Sequence, residues 1–411
     1  MSALHAHVWR IDADLDPIAV AGDDGVLWIR DGLVLAGCDV AHEISVQQRH
    51  ELAAITSAVL DAIEVTGDVD RSISGPIAFG ALPFDHTAPA SLTVPELLVG
   101  RDRDGTRWLC WTGKGDAPPR DELLARLLER ADNATSPSPS RFTITSTRTP
   151  REWCDAVAAA RDELRDGAAR KVVLARDIRI ECDTPIARTP VLRRLRDSYP
   201  TCFLFSMPTL VGASPELLVS RHGDVVRSQP MAGTTRRSPD PAVDARLAAG
   251  LLASHKDRIE HQITIDMAHD TLLPWCSYLD AETEPSVVAV ANVHHLATSV
   301  EGRLSHPLPS VLELVHALHP TPAVCGDPRD AAAELIRRHE GMDRGSYAAP
   351  VGWVDRAGNG EFAVGVRSAE IIGSEARLFA GVGVVADSDP EAELEETRVK
   401  LEAMMGALVR P

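Results

Sequence analysis

The apolar and polar positions of this chain repeat at two different periods, and the switches between them mark its elements. Val26–Arg30 and Leu33–Leu35 are short β-rich runs set off by Asp-Gly dipeptides at 24–25 and 31–32, so residues 18–38 read as a hairpin and a meander opens the protein. From Ser45 to Glu64 the apolar residues fall at helical spacing. Strand-like pieces follow at 76–81, 94–99 and 106–112, and a short helix at 120–131 ends this part. Residues 132–150, DNATSPSPSRFTITSTRTP, are rich in Ser, Thr, Pro and Asn, too polar to pack a core, and predict a linker or surface loop.

Beyond it, Arg151–Gly167 and Pro190–Ser198 carry helical patterns, and Lys171–Ile180, 201–207, 216–221 and 225–230 read as strands with a turn at His222-Gly223-Asp224. One long helix is predicted from about Pro241 to Pro274. Strands at 286–290 and 295–304 precede helices at 307–318 and 328–339. A second hairpin turns at Gly358-Asn359-Gly360, with strands at 350–355, 361–371 and 376–385, and a helix from Pro390 to about Leu408 closes the chain. Consecutive hairpins separated by helices argue for antiparallel or mixed sheet in an α+β (mixed α/β) architecture over parallel βαβ units. The expected organisation is an N-terminal portion at 1–131, the connection at 132–150, and a second portion at 151–411.

Composition narrows the function classes. With 411 residues, 44% apolar and 25% charged, the chain has the balance of a folded globular protein. Sixty acidic against 42 basic residues give a net charge of −18, which repels a phosphate backbone, so no nucleic-acid partner is expected. No window reaches 18 apolar residues and the N-terminus lacks a secretory pattern, so no membrane association and a cytoplasmic location are expected. The seven cysteines are scattered and never in a C-x-x-C spacing, which predicts reduced thiols.

Several constellations invite chemistry. Gly381-Val-Gly383-Val-Val-Ala386 fits a dinucleotide fingerprint, but the β-branched run continues where a helix should start, so the match is discounted. Glu393, Glu396 and Lys400 stand at i, i+3, i+7 on one helix face, and Asp257, Glu260 and His261 at i, i+3, i+4 on another, flanked by Lys256 and Arg258. These are either two solvated faces with ordinary ion pairs, or two acidic faces that meet and hold a hard divalent cation through oxygen. Spacing alone leaves both open. His294-His295 point to opposite faces of a strand, and Glu313, His316 and His319 lack a partner helix for a di-iron site, so structural roles are expected. Ser214 lacks the second glycine of a nucleophile elbow.

Ten segments, in order from about residue 78 to 405, resemble the chorismate-utilising enzymes: GALPFD (80–85), KVVLAR (171–176), GASPELL (212–218), PMAGTTRR (230–237), ASHKDRIEH (253–261), HHLATSVEG (294–302), HPTPAVCG (319–326), GNGEFAVGVRSAE (358–370), LFAGVGVV (378–385) and the E-x-x-E-T-x-x-K of Glu393 to Lys400. That family includes isochorismate, salicylate, anthranilate and aminodeoxychorismate synthases. The resemblance implies two packed antiparallel sheets surrounded by helices, an active site in a cleft within the catalytic portion 151–411, and Mg²⁺-dependent addition of a nucleophile at C2 of chorismate with loss of the C4 hydroxyl. The first 75 residues match less clearly.

Carried over residue by residue, the resemblance makes Lys171 the general base, which must be neutral to act, and Glu216 the general acid, which must be protonated. It makes Glu260 and Glu396 direct Mg²⁺ ligands, with Asp257 and Glu393 reaching the ion through water. Arg367, the Gly381 and Gly383 amides and Lys400 would hold the pyruvyl carboxylate, and Gly233, Thr234, His295 and Thr298 fall among the substrate-binding positions. Lys171 suits a member that adds water, and Ala232 stands where aminodeoxychorismate synthase has a nucleophilic lysine. The implied activity is that of an isochorismate synthase, feeding menaquinone or siderophore synthesis, with salicylate synthase as the alternative and a non-catalytic amidotransferase-partner subunit as a remoter one. A monomer without an amidotransferase subunit is expected.

Overall fold

Strand pairs remote in sequence tie the two portions together in the computed structural model, which describes residues 3–69, 72–132, 139–290 and 292–409. Ile77–Ala81 pairs with Pro350–Asp355, and Val26–Arg30 with Phe203–Ser206. The longest ladders are Leu33–Val46 on Ala90–Arg101 and Lys171–Cys182 on Glu375–Val384. Among the described residues, hydrogen bonds join twenty strands into one network, antiparallel except where Leu4–Arg10 meets Glu64–Gly67. A separate three-stranded sheet is built from Met231–Arg236, Ser286–Val290 and Val293–Ala297. The large antiparallel sheets flanked by helices are those expected from the hairpin pattern.

Side-chain alternation explains how the strands are buried on both faces. Val26 and Trp28 enter one core with Phe79, Phe205, Trp353 and Phe362, whereas Leu27 between them enters a second with Ile178, Leu192, Leu378 and Met404. A third core forms where the helix Pro150–Arg165 lays Trp153, Val157, Ala160 and Leu164 against Leu335, Ile336 and Val382. That helix starts at a capping box between Thr149 and Glu152, with Pro150 in its first turn.

Several predicted elements differ. Pro17–Ala21 is a helix capped by Asp16, so the hairpin is confined to Val26–Arg30 and Leu33–Val46. The helix expected over 45–64 spans only Leu52–Asp61, because the preceding strand runs to Val46 and Glu64–Gly67 pairs with the first strand. Phe142–Ser146, predicted as linker, is a wholly exposed edge strand on Lys171–Cys182, and its exposure accounts for its polar composition. Residues 133–138 of that segment lie outside the described residues. The long helix of 241–274 is two, Pro241–Ala253 and His255–Leu272, broken at Ser254, whose extended backbone ends the first and caps the second. The predicted 361–371 strand is likewise two, Gly360–Val364 and Ser368–Ile372, interrupted at Arg367. Leu4–Arg10 and Cys276–Ala281 are strands the pattern did not reveal.

Candidate active site

The two acidic helix faces meet. Asp257 and Glu260 from His255–Leu272, and Glu393, Glu396 and Lys400 from Pro390–Val409, line one cavity of about 170 Å³ with Lys171, Glu216, Gly233, Thr234, His295, Arg367, Gly381 and Gly383. Strand alternation selects which residues reach it. Lys171 and Val173 face the cavity while Val172 and Leu174 enter the third core, and on the paired strand Gly381 and Gly383 face it while Val382 and Val384 do not.

Lys171 is buried at 4% exposure, and its Nζ lies 3.5 Å from Glu260 Oε2. A glycine stands opposite, where a Cβ on Gly383 would lie 2.7 Å from Lys171 Cε and push the lysine tip aside. Glu216 follows the strand Leu210–Ser214, where its amide donates to Ser214 Oγ at 3.2 Å. Burial raises the Glu216 pKa to about 8; the Met231 amide and the charges of Arg367 and Lys171 oppose that rise without cancelling it. A carboxyl protonated at neutral pH therefore shares the cavity with a buried amine.

Arg367 occupies the left-handed region at φ 49° and is itself desolvated, which lowers its pKa. Its guanidinium donates to His295 Nε2 at 2.5 Å, and His295 Nδ1 lies 3.0 Å from Thr234 Oγ1. Burial, with Arg367 and Lys400, holds His295 well below the usual imidazole range, so the ring is neutral and accepts from arginine while Nδ1–H donates to threonine. Gly233 forms a bulge in that strand at φ 78° and packs against Asp257. Lys400 Nζ donates to Gly381 O at 2.8 Å and pairs with Glu396 Oε1 at 2.7 Å.

The four carboxylates are an all-oxygen donor set suited to a hard cation. Glu393 is pushed up by burial and by the charge of Glu396, whereas Lys400 and Lys256 hold Glu396 down despite its burial. Among the described residues no three acidic, histidine or cysteine side chains stand close enough to form a ready cage. Glu260 and Glu396 are engaged by Lys171 and Lys400, and Asp257 by the Ser254 hydroxyl.

Thr298 is placed differently from expectation. It is fully buried behind the wall, its hydroxyl 2.8 Å from His261 Nε2, and it does not line the cavity. It lies just past the strand Val293–Ala297 and faces His261, on the helix that carries Glu260. His294 points away from the cavity to Asp244, as strand alternation predicts. Glu313 caps its own helix, and His319 sits on Phe84. The Gly381–Gly383 run is regular strand with no phosphate loop.

Sequence reasoning missed Tyr347 and Arg344. Tyr347 stacks on Phe379 at 4.9 Å and lines the cavity, and burial raises its pKa to about 12. Arg344 donates to the Val324 and Val173 carbonyls at 2.7 and 2.8 Å and pairs with buried Glu340, which also accepts from the Ala175 amide. Both lie in the stretch between two of the family-like segments, in an irregular loop without periodicity to flag them.

Residues 22–409 match the model of a family described as chorismate binding enzyme. The isochorismate synthase MenF of Bacillus subtilis is 36% identical over 83% of this chain and 76% of that protein. A putative isochorismate synthase MenF of Mycobacterium tuberculosis is 39% identical over 82% of this chain and 88% of its own length. Among solved structures, a putative 2,3-dihydroxybenzoate-specific isochorismate synthase, DhbC, from Bacillus anthracis superimposes with a TM-score of 0.79 at 31% identity, covering 97% of each chain.

Proposed function

This chain belongs to the chorismate-binding enzyme family, and from that premise we propose that it is an isochorismate synthase, an isomerase-type enzyme that interconverts chorismate and isochorismate. The observation that carries the reading is the pairing of buried Lys171 with a Glu216 that burial keeps protonated, in one cavity that also holds Arg367 and Lys400. A proton donor and a basic side chain in one cavity are what a reversible exchange of water requires.

Lys171 takes a proton from the attacking water as its oxygen bonds to C2. The ring double bonds shift, the C4–O bond breaks, and Glu216 gives its proton to the departing hydroxyl, which leaves as water. Arg367, oriented by neutral His295, and Lys400 supply the positive charge that holds the pyruvyl carboxylate in a protein of net charge −18. The Gly381 and Gly383 amides approach the same carboxylate because no Cβ intervenes. Ala232, which lines the cavity, offers no amine for a covalent adduct, and Lys171 is the base that water addition needs, so water is the nucleophile of this reading and no amidotransferase subunit is expected. The enzyme works as a monomer, which size-exclusion chromatography checks.

A divalent cation, Mg²⁺ by its preference for carboxylate oxygen, would be held by Glu260 and Glu396, with Asp257 and Glu393 behind them. When bound it supplies positive charge at the ring carboxylate and draws electron density from the diene.

The test is to follow chorismate with Mg²⁺ to equilibrium by chromatography. Isochorismate is expected to accumulate reversibly; stoichiometric salicylate and pyruvate would replace this reading with a salicylate synthase. Its relatives include a vibriobactin-specific isochorismate synthase and a menaquinone-specific one, which supports a product that feeds siderophore or menaquinone synthesis. Among the described residues no helix is long and apolar enough to cross a membrane, and we place the enzyme in the cytoplasm.

A further inference from the structure

Glu216 borders two spaces. On one side is the 170 Å³ cavity; on the other is a space of about 10 Å³ whose lining includes Leu218, Ser228, Pro230, Thr264, Leu318 and Thr321. That volume is about one water molecule's worth. The polar groups of its wall are mostly spoken for. The Ser228 hydroxyl donates to Leu218 O at 2.7 Å, the Thr264 hydroxyl to Glu260 O at 3.2 Å, and Pro230 O accepts from the Thr298 amide at 3.4 Å. Thr321, 5% exposed, differs: its Oγ1 is buried and has no hydrogen-bond partner among the described residues. A buried hydroxyl is seldom left unsatisfied when a one-water void adjoins it.

We propose that Thr321 is a positioning residue for the reaction: it holds a single buried water against the back of Glu216, and that water, donating to the carboxyl group, sets its orientation and proton affinity. Thr321 does not touch substrate; it acts through the acid. The inference rests on Glu216 being the general acid of the proposed function. A donor to the carboxylate favours the ionised form, so the Thr321 contact moderates the rise that burial imposes on Glu216. The acid is thereby kept willing to release its proton at the departing oxygen.

The experiment compares pH–rate profiles of the wild type, Thr321→Val and Thr321→Ser with chorismate and Mg²⁺. Thr321→Val is expected to move the alkaline limb upward by roughly half a pH unit or more and to lower kcat about tenfold with KM little changed, while Thr321→Ser restores the wild-type limb. An unmoved limb in a folded Thr321→Val variant overturns the inference. A wild type that makes no isochorismate instead overturns the proposed function, so the two failures are distinct. A high-resolution crystal structure of the wild type gives a readout free of mutation: a water bridging Thr321 Oγ1 and Glu216 is expected, and a dry void refutes the proposal even if the valine variant does not fold.

Discussion

Gly383→Ala separates placement of the base from stability of the fold. The glycine has no left-handed φ, so the added methyl acts by contact alone. Its carbon would stand 2.7 Å from Lys171 Cε, 3.3 Å from Nζ and 3.9 Å from Glu260 Oε2. Ordinary contact begins near 3.4 Å, so the lysine tip must retreat by about 3.4 − 2.7 = 0.7 Å. The obstructing atoms are the far end of a flexible side chain, not backbone, so the fold yields cheaply and the unfolding midpoint should move by only a few degrees, about 1 kcal/mol or less. Catalysis is less forgiving. A base misplaced by about 1 Å loses roughly 10²-fold in rate, about 2.7 kcal/mol of barrier. The assay is initial-rate conversion of chorismate with Mg²⁺, read beside thermal unfolding of the same preparation. A kcat within twofold of wild type in a normally stable variant would refute the placement of Lys171 as the base, because its amine would then have moved without consequence.

Four further outcomes follow from the same geometry. Activity should fall as pH rises through about 8, where Glu216 loses the proton it must donate; a flat alkaline profile to pH 10 contradicts the acid. The sign for stability is the same: the folded state retains a proton that the unfolded chain releases near pH 4.5, so stability declines between about 4.5 and 8, and Glu216→Gln should remove that slope from urea titrations. Chelation should abolish turnover and Mg²⁺ restore it, with Glu396→Gln needing far more metal for half-maximal rate; indifference to both would reduce the acidic faces to ordinary ion pairs. Glu340→Leu leaves the Arg344 guanidinium buried without its carboxylate and should cost about 3–5 kcal/mol in denaturant unfolding, whereas a loss under about 1 kcal/mol would mean the pair contributes little.

Local periodicity was enough to put Glu393, Glu396 and Lys400 on one face and Asp257 and Glu260 on another, because the helical repeat is a property of consecutive residues. It also predicted that His294 and His295 part company, and they do, one to Asp244 and one to Arg367. Ordered family-like segments pointed to Lys171 and Glu216 as a pair. Other features belong to tertiary structure alone. Whether the acidic faces meet depends on chain 136 positions apart, as Glu260 and Glu396 are, and no spacing rule reaches that far. The break at Ser254 escaped because the polar run Ser254 to Arg258 holds no Gly or Pro to mark a stop, while the capping hydroxyl announces itself only once the helix ends. Tyr347 and Arg344 come from an irregular loop that acquires its role by packing on Phe379 and Glu340. The protonation of Glu216 is the clearest case: the residue type is written in the chain, but the desolvation that turns a carboxylate into an acid is a property of everything folded around it.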